Sequence, residues 1–414
     1  MRSPFAKIDG QLASTDAISL SVKVVRAMTL ETDHPIRPQL MIWGTVAPNL
    51  GFSNIAREVL IDAGLDQSIP AYSITMACST SMAGAMNAAS LLVKQGEGLA
   101  LVGGVECMSR TQIGLSQSLS DWLRQFFEAR SLNKKLSSFT ELNFRDVRLH
   151  IPSITNRTTG LSMGEHCELT AKEWQIKRED QDALALASHE NAIAAQDNGF
   201  FDDLVISMDN LDHDAIPRRA TNLEKLAKLN PVFDRTSGKG TLTAGNSSPL
   251  TDGASSVWVV HENTLGTLAN NIARVRMLDW EFAAVDIQQE GLLMAPSYAI
   301  PRLLHRHGLN YDDINLWEIH EAFAAQVLYN VAALENREFL KEKVGLEIDF
   351  GTFPWDRLNP NGGSVAIGHP FGATGARDLS QATKELAAMP LGSRAIVSIC
   401  ADGGLGTVAL LEAA

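Results

Sequence analysis

The sequence predicts an α/β protein in which one strand, helix and strand unit is used twice. In the first half a short apolar stretch from Ile74 leads into the small-residue helix ACSTSMAGAMNAASLLVKQGE, and the apolar strand LALVGGVE follows. In the second half GHPFGATGARDLSQATKELAAM is again a small-residue helix, followed by the apolar segment RAIVSIC. This similarity favours a duplicated α/β fold with a site between the halves. Two unrelated α/β units that look alike are the alternative.

Length and charge limit the classes of protein that the sequence fits. A chain of 414 residues exceeds what one hydrophobic core supports, so at least two domains are expected. Hydrophobic residues make up 45% and charged residues 20% of the sequence, the balance of an ordinary globular protein. The 48 acidic and 35 basic residues give a net charge of −13. A nucleic-acid partner is therefore not expected, because phosphate binding needs clustered positive charge.

Neither export nor a membrane span is indicated, and the expected compartment is the cytoplasm. The start, MRSPFAKIDGQL, has no apolar run of signal-peptide length, and no stretch of about 18 uninterrupted apolar residues occurs. The four cysteines are Cys78, Cys107, Cys167 and Cys400. We expect free thiols, since a reducing compartment disfavours disulfides and their spacing lacks metal-ligand pairs.

The segment 115–150 combines aromatic and basic residues in an acidic protein. Its large apolar residues at helical spacing are Leu119, Trp122, Leu123, Phe126 and Phe127. Its charged residues are Arg124, Arg130, Lys134, Lys135, Arg145 and Arg148 against Asp121, Glu128, Glu141 and Asp146. The local sum is six minus four, or +2. Since such large side chains are unusual on an exposed helix, we predict a surface helix that contacts a membrane or a partner subunit, unless it packs within its own dimer.

Two other segments of the middle region have a clear local pattern. A helix is predicted from about Glu179 to Asn198, ending at Gly199, which can take the left-handed conformation of a helix end. The segment 231–255, PVFDRTSGKGTLTAGNSSPLTDGAS, is predicted to be a long loop rich in Gly, Ser, Thr and Pro. Loops of that length in compact proteins usually have a function.

Cys78 is the candidate nucleophile. It lies where a strand is predicted to end and a helix to begin, so free backbone N–H groups and the helix dipole would favour its thiolate. Taken alone, a free cysteine is more often a buried structural residue. Two histidines and a second cysteine in similar settings change that balance.

Those companions are His369, His320 and Cys400. His369, among the glycines of GGSVAIGHPFG, could take the proton of Cys78, and His320, followed by Glu321, could donate to an oxygen that gains negative charge. Cys400 stands where an apolar strand reaches glycines, which let a ligand approach the backbone closely. Two cysteines and two histidines also suggest zinc, but the absence of short Cys-x-x-Cys or His-x-x-x-His pairs argues against a metal site.

These residues lie in blocks that resemble the thiolases in order and spacing. The blocks are MACSTS around Cys78, GGVECMSR at 103–110, MGEHCELTAKEW at 163–174, REDQDALALASHENAIAAQDNGFF at 178–201, TAGNSSPLTDGAS at 243–255, HEAFA at 320–324, NPNGGSVAIGHPFGATGAR at 359–377 and CADGGLG at 400–406. The resemblance covers nearly the whole chain. It implies an α/β thiolase fold with two duplicated βαβαβαββ halves, a five-layered αβαβα core and an inserted loop domain. The implied divisions are 1–114 and 246–262 for the first core half, 115–245 for the loop domain and 263–414 for the second half.

The resemblance also implies a ping-pong reaction through an acyl-cysteine. His369 would activate Cys78, which attacks the 3-keto group of a 3-ketoacyl-CoA. Cleavage of the carbon–carbon bond would leave an acyl group on Cys78, while Cys400 protonates the departing acetyl-CoA carbanion. A second coenzyme A would then remove the acyl group. His369 and His320 would form one oxyanion site, His320 standing where many relatives have Asn, and the backbone N–H groups of Cys78 and Asp402 would form the other.

The same resemblance suggests contacts with coenzyme A and marks two departures. Ser248 matches a residue that contacts coenzyme A, and Met163, Ala322 and Phe323 match residues lining its pantetheine channel. Most relatives have Gly or Ala at Asp402, so here a carboxylate lies near a site that should stabilise negative charge. Many relatives begin with a further β-strand before the RSPF-like segment, so either that strand is lost or the start is truncated.

HEAFA and the segment 115–160 resemble the subgroup that forms the β-subunit of fatty-acid oxidation complexes, in which an α-subunit supplies hydratase and dehydrogenase activities. The expected enzyme is an acetyl-CoA C-acyltransferase that degrades medium or long 3-ketoacyl-CoA, forms a homodimer or tetramer, and uses coenzyme A as a substrate and no cofactor. One alternative is an acetoacetyl-CoA thiolase in the synthetic direction. Others are a decarboxylating ketoacyl-synthase type, against which Cys400 argues, and a non-catalytic acyl-CoA carrier, against which the complete site argues.

Overall fold

Two β-sheets form the core of the protein. The computed structural model describes residues 1–31, 36–141, 147–150, 152, 154–208, 211–268 and 272–414. In chain order the strands are β1 Ala6–Lys7, β2 Leu40–Gly44, β3 Ala71–Tyr72, β4 Leu99–Glu106, β5 Gly114–Leu115, β6 Leu149–His150, β7 Thr251–Val260, β8 Val275–Ala284, β9 Leu316–Ile319, β10 Arg394–Ala401 and β11 Leu405–Ala413. One sheet has the order β1-β7-β4-β2-β3 and the other β8-β11-β10-β9, while β5 and β6 form a separate ribbon.

Helices lie between and outside these sheets. In chain order the α-helices are α1 Ala17–Thr29, α2 Ile55–Asp62, α3 Thr80–Gln95, α4 Gln117–Glu128, α5 Leu132–Glu141, α6 Met163–Glu173, α7 Arg178–Asp197, α8 Leu223–Ala227, α9 Pro296–His307, α10 Ala324–Glu335, α11 Arg337–Phe339, α12 Ser364–Ile367 and α13 Thr374–Ala387. Within the described ranges, no helix has both the length and the apolar character needed to cross a bilayer.

The two sheets repeat one pairing pattern. In the first, β1 pairs antiparallel with β7, β7 antiparallel with β4, and β4 parallel with β2. In the second, β8 pairs antiparallel with β11, β11 antiparallel with β10, and β10 parallel with β9. The first sheet adds β3, parallel to β2, at its edge. The repeated order and directions confirm the duplicated α/β fold predicted from the sequence.

Helices α3 and α13 lie side by side between the sheets. α3 contacts β2, β4 and β7, and α13 contacts β7 and β10. α1 and α2 contact the first sheet, and α9 contacts the second. The layers therefore alternate as α, β, α, β, α, and the helices that follow Cys78 and His369 form the central layer.

Small residues allow the two central helices to approach closely. A Cβ atom added at Gly375 of α13 would lie 2.3 Å from the backbone nitrogen of Met82 in α3. The backbone N–H of Ala376 donates to the Ser81 hydroxyl at 2.9 Å. The two small-residue helices predicted from the sequence thus pack against each other, and larger side chains at this contact would force them apart.

The predicted elements of the repeated unit are present. LALVGGVE is β4, the small-residue helices are α3 and α13, RAIVSIC lies in β10, and the helix predicted at 179–198 is α7. The strand predicted to lead directly into Cys78 is shorter, since β3 ends at Tyr72. The chain then turns instead of continuing as a strand, with Ala77 at φ 46°.

The predicted loop at 231–255 ends earlier than the sequence suggested, because β7 begins at Thr251. Residues 251–256 are all buried. The Ser255 hydroxyl donates to the carbonyl of Ala373, and a Cβ atom at Gly253 would lie 2.3 Å from the ring of Phe5. Small polar residues are used here because neighbouring backbone and side chains leave little room, and not because the segment is exposed.

Residues 114–141 and 147–150 leave the core as a helical hairpin, called the helical hairpin below. The antiparallel strands β5 and β6 pair at its base, and α4 and α5 contact each other above it. The segment thus holds two helices where the sequence predicted one, because the chain becomes extended at Ala129, with ψ 114°. Arg145 and Asp146, which the predicted charge included, lie outside the described residues.

The first sheet takes its strands from two separate parts of the chain, one ending at Glu106 and the other at 251–260. The second sheet takes all its strands from 275–413. We retain the division into 1–114, 115–245, 246–262 and 263–414 as a proposal.

Candidate active site

Cys78 lies in a tight turn just before α3. The preceding residue, Ala77, has φ 46°, a left-handed conformation that is uncommon outside glycine and recurs at functional sites. Ser79 caps the helix, and its backbone N–H donates to the carbonyl of Met76 at 3.0 Å. Cys78 is half-buried and lines a cavity. The turn thus places the sulfur beside that cavity at the N-terminal end of a central helix.

The imidazole of His369 faces this sulfur. Its Nε2 lies 3.1 Å from the Sγ of Cys78. Its Nδ1 lies 2.7 Å from the Thr374 hydroxyl oxygen, and that hydroxyl donates to the carbonyl of Pro370 at 3.0 Å. Because the single hydroxyl proton of Thr374 is used there, Thr374 accepts from Nδ1–H. The network therefore assigns an unprotonated Nε2 to His369, the form that can accept a proton from Cys78.

Backbone contacts hold His369 against the first half of the fold. Its backbone N–H donates to the Thr251 hydroxyl at 3.0 Å. Gly368 has φ 110°, and a Cβ atom there would lie 2.6 Å from a side-chain carbon of Ile216. Glycine is required at this position because both the conformation and the space exclude a side chain. The glycines around His369 in the sequence therefore let the chain bring the imidazole between the halves.

Burial keeps Cys78 and His369 uncharged before substrate binds. Removal from water raises the pKa of Cys78 to about 12, and the negative charge of Asp402 adds to this. Burial lowers the pKa of His369 to about 3, and the positive charge of Arg377 adds to that. The sequence predicted that the helix terminus would favour the thiolate, but burial outweighs this effect. The proton therefore moves from sulfur to nitrogen as Cys78 attacks, and not earlier.

His320 lies beside His369, directly after β9. The centroids of the two imidazole rings are 4.1 Å apart. The ring is fully buried, with Nδ1 at 2.8 Å from the Ser364 hydroxyl oxygen. Its Nε2 has no hydrogen-bond partner among the described residues. A buried polar atom of this kind calls for a ligand, and here it lies next to the Cys78–His369 pair.

The carboxylate that follows His320 in the sequence points elsewhere. Glu321 accepts hydrogen bonds from the Ser188 hydroxyl at 2.7 Å, the Asn359 side-chain amide at 2.6 Å and the backbone N–H of Val365 at 3.1 Å. It therefore ties α7 to the glycine-rich segment before His369.

The fold also assembles a set of metal-ligand types. One ligand atom from each of Cys78, His320 and His369 lies within 4.8 Å of the others. Their wide spacing argued against this in the sequence, but three separate segments meet here. Such a set could hold a soft divalent ion such as zinc. A bound ion would take the lone pair of His369 Nε2 that now accepts the hydrogen bond from the Cys78 thiol. The observed hydrogen bond therefore favours acid–base chemistry over metal binding at this site.

Cys400 is a buried thiol close to Cys78. It lies in β10 opposite Gly406 of β11. The Ser79 hydroxyl donates to the carbonyl of Ile399 at 3.4 Å, which joins the turn at Cys78 to β10. Burial raises the pKa of Cys400 well above its ordinary value, and Cys78 is near enough to raise it further. Cys400 is therefore an uncharged thiol that has a proton to give.

Asp402 acts on the sulfur of Cys78 in two opposite ways. Its carboxylate raises the pKa of Cys78, while its backbone N–H lowers it. The carboxylate accepts from the Asn156 side-chain amide at 2.9 Å and from the backbone N–H of Gly403 at 2.7 Å. These two donors fix the carboxylate while the backbone N–H stays near the sulfur, where the resemblance places an oxyanion donor.

Of the positions matched to coenzyme A contacts, one lines this cavity and the others lie where the long loop meets the HEAFA segment. The backbone N–H and the hydroxyl of Ser248 both donate to the carbonyl of Ala322, at 3.0 and 2.9 Å. The ring of Phe323 packs edge-on against Phe233, 5.7 Å between centroids. Met163, at the start of α6, lines the cavity beside Cys78. The long loop and the HEAFA segment thus adjoin each other, and their contacts with coenzyme A stay a prediction.

Sequence reasoning missed the polar residues that orient the site. They are Thr374, Ser364, Arg377, Asn156 and Glu106. Glu106 alone left a signal, a charge at the end of the apolar strand LALVGGVE. It is fully buried and accepts from the backbone N–H groups of Ala47, at 2.9 Å, and Gly372, at 3.1 Å. Glu106 thus joins the loop after β2 to the turn after His369.

Two family models together span the chain. The model described as Thiolase, N-terminal domain, matches residues 1–263, and the model described as Thiolase, C-terminal domain, matches residues 272–413.

Similar proteins also match along the whole chain. A 3-ketoacyl-CoA thiolase of Shewanella woodyi is 36% identical over 420 residues, covering 100% of this chain and 95% of the relative. A 3-ketoacyl-CoA thiolase of Photorhabdus laumondii is 37% identical over 422 residues with the same coverage. Among solved structures, a thiolase of Ascaris suum in complex with coenzyme A has a TM-score of 0.79 at 27% identity, covering 100% of this chain and 98% of that one. The acetyl-CoA acetyltransferase of Bacillus anthracis has a TM-score of 0.77 at 27% identity, covering 100% and 97%.

Proposed function

The chain belongs to the thiolase family, and we propose that it works as a degradative 3-ketoacyl-CoA thiolase. In this reaction coenzyme A cleaves a 3-ketoacyl-CoA to acetyl-CoA and a shortened acyl-CoA, a step of fatty-acid β-oxidation. The observation that carries the proposal is the 3.1 Å contact between Sγ of Cys78 and the unprotonated Nε2 of His369, at the wall of a cavity.

The first half of the reaction forms the acyl-enzyme. The Cys78 proton moves to Nε2 of His369 as the sulfur attacks the 3-keto carbon. Nε2 of His320, which has no partner among the described residues, would donate a hydrogen bond to the resulting oxyanion. The bond between C2 and C3 then breaks, its electron pair stays on C2, and the thiol proton of Cys400 moves to C2. Acetyl-CoA leaves, and the acyl group remains on Cys78.

The second half transfers the acyl group. The Cys400 thiolate takes the proton of an incoming coenzyme A, whose sulfur attacks the acyl carbon. Cys78 departs as a thiolate and regains its proton from His369. The backbone N–H groups of Cys78 and Asp402, which both act on the Cys78 sulfur, would stabilise the thioester oxyanion of this step.

The cavity beside Cys78 suits an acyl chain. Its apolar lining includes Val46, Pro48, Met108, Ile154, Met163 and Phe371. Each methylene that enters such a lining is stabilised by about 0.8 kcal/mol relative to water. We therefore propose substrates of medium or long chain, for which the 36% identical relatives named 3-ketoacyl-CoA thiolase are further support.

Thiolysis rates across a chain-length series test this proposal. With coenzyme A present, kcat/KM is expected to rise by about tenfold or more from acetoacetyl-CoA to medium-chain 3-ketoacyl-CoA, because one or two methylene contacts are worth that much in a specific pocket. A malonyl thioester, the substrate of decarboxylating relatives of this fold, should give no condensation. Highest kcat/KM with acetoacetyl-CoA would instead support acetoacetyl-CoA thiolase acting in the synthetic direction.

We also propose a homodimer or tetramer in the cytoplasm. Leu278 and Phe282 on the edge strand β8 and Val93 near the end of α3 are exposed apolar residues, which a second copy of the chain would cover. Coenzyme A and acyl-CoA are the small-molecule partners.

We propose that the helical hairpin, through α4 and α5, contacts an anionic membrane. Its two helices are joined by a ring cluster of Trp122, Phe126 and Phe139, with centroids 5.2 to 5.5 Å apart. The ring of Phe127 contacts Phe126 edge-on, 5.7 Å between centroids, yet Phe127 is 73% exposed, and Leu132 is 76% exposed. Apolar side chains of that size beside lysines are typical of surfaces that bind lipid headgroups. A hydratase/dehydrogenase subunit, implied by resemblance, is the alternative occupant.

Removing the exposed apolar side chains tests the hairpin. Replacing Phe127, Leu132 and Leu136 together by Ser removes one edge contact to Phe126 but keeps the contacts among Trp122, Phe126 and Phe139 that join the helices. The triple variant should lose flotation with vesicles containing anionic phospholipid, without changing thiolysis. Leu391→Ser, at a position that is 82% exposed but outside the hairpin, is the matched control and should float like the wild type. Co-purification with a hydratase/dehydrogenase subunit without flotation would replace the lipid by a protein partner. If the wild type shows neither flotation nor co-purification, the hairpin packs within the homo-oligomer.

A further inference from the structure

Two hydroxyl groups bond the adjacent imidazoles of the active site, and they do so with opposite proton directions. Thr374 meets Nδ1 of His369 and uses its own proton on the carbonyl of Pro370. Ser364 meets Nδ1 of His320 at 2.8 Å. Its oxygen also accepts from Nη2 of Arg377 at 2.7 Å. The two hydroxyls therefore differ in what else they bond.

The contact with Arg377 settles where the Ser364 proton goes. A guanidinium group can only donate, so it occupies one lone pair of the Ser364 oxygen. Among the described residues, Nδ1 of His320 is the acceptor that the structure gives to the Ser364 hydroxyl. If Nδ1 instead donated to Ser364, the hydroxyl proton would be buried without a partner, which is costly. Ser364 therefore donates to Nδ1, and the remaining proton of a neutral His320 is on Nε2.

We propose that Ser364 and Arg377 are positioning residues that hold His320 as the Nε2–H tautomer, so that it donates a hydrogen bond to the oxyanion formed when Cys78 attacks. This inference rests on the proposed function. His369 has the opposite tautomer, with Nδ1–H and a free Nε2. The hydroxyls that contact the two Nδ1 atoms thus give the neighbouring histidines different roles. His369 accepts the proton of Cys78, and His320 donates a hydrogen bond.

The surroundings of His320 agree with an uncharged donor. Burial lowers its pKa well below the ordinary value, and His369 and Arg377 add to this effect. Arg377 is itself buried, and its Nη1 lies 2.6 Å from Oδ1 of Asp378, so a carboxylate faces the guanidinium behind Ser364. Nε2 of His320 has no partner among the described residues, so its proton is available to a ligand oxygen.

The tautomer can be read directly in the wild-type protein. We would label the 10 histidines with ¹⁵N and identify the ring signals of His320 by their loss in His320→Asn. The expected shifts are those of an unprotonated Nδ1 and a protonated Nε2 for His320, and the reverse for His369. A protonated Nδ1 in His320 would overturn the inference. This result does not depend on turnover, so it stands apart from a failure of the proposed function.

A double-mutant cycle separates positioning from a structural role. Ser364→Ala should lower kcat by about tenfold to hundredfold while KM changes little. This loss should not exceed the loss caused by removing an oxyanion donor outright. Ser364→Thr keeps the hydroxyl and should recover most of that loss. In His320→Asn the amide donates without any tautomer, so adding Ser364→Ala should change kcat by less than about twofold. An equal loss in both backgrounds would show that Ser364 acts through packing, and would overturn the inference. If Ser364→Ala does not fold, the ¹⁵N shifts of the wild type decide.

Discussion

Cys78→Ala is expected to lose thiolysis and condensation down to the background level. The physical reason is that both half-reactions pass through the Cys78 sulfur, and no base can replace a missing nucleophile. Initial rates of 3-ketoacyl-CoA cleavage with coenzyme A measure the loss. Nε2 of His369 lies 3.1 Å from that sulfur, so the change removes its proton donor as well.

A second cysteine provides the matched control. Cys107 is buried and donates to the carbonyl of Thr15 at 2.9 Å, in the outer part of the first half. Cys107→Ala also removes one thiol from the interior, yet it should keep wild-type turnover. Substantial cleavage by a correctly folded Cys78→Ala protein would show that another residue carries the acyl group.

Cys400→Ala is expected to lower turnover by about 10² to 10⁴-fold, the usual contribution of a positioned acid or base. Its thiol is uncharged because burial raises its pKa, so it can protonate C2 of the departing acetyl-CoA. Acylation of Cys78 by a simple acyl-CoA needs no proton at C2 and should persist. Exchange of the acetyl-CoA methyl protons with deuterated water should therefore vanish while Cys78 still becomes acylated.

Asp402 provides the check on that assignment. It lines the same cavity as Cys78 and carries a carboxylate where the resemblance to thiolases leads us to expect Gly or Ala. If exchange persisted in Cys400→Ala, another base would be at work, and Asp402→Asn in that background would show whether this carboxylate is responsible. Exchange that disappears with Cys400 alone supports the proposed role of the thiol.

The repeated unit could be predicted from the sequence because its signals are local. Small residues at helical spacing and apolar strands identify α3, β4, α13 and β10 without any knowledge of their contacts. The partial strand before Cys78 could not be predicted, since the left-handed turn at Ala77 is set by packing around the site. Likewise, the start of β7 has the composition of a loop. Its polar residues are buried because Phe5 and the turn after His369 pack against them.

The arrangement inside the site depends on contacts between distant segments. Cys78 and His369 were predicted as partners by residue type and resemblance, and they lie together although 291 positions separate them. The hydroxyls of Thr374 and Ser364 gave no signal, because serine and threonine are common near glycines. Ser364 bonds His320, 44 positions away, and not the nearer His369, which only the fold determines. The prediction that the helix terminus lowers the pKa of Cys78 was wrong for the same reason. Burial raises that pKa, and burial is a property of the folded site.

The location of the acyl group tests most directly whether Cys78 is the nucleophile. Wild-type protein would be incubated with an isotopically labelled acyl-CoA without free coenzyme A, quenched in acid, digested and analysed by mass spectrometry. The label is expected on the peptide that contains Cys78, and adding coenzyme A before the quench should remove it. Label on a peptide containing Cys107, Cys167 or Cys400, or efficient thiolysis with no labelled peptide, would contradict the proposal that Cys78 carries the acyl group.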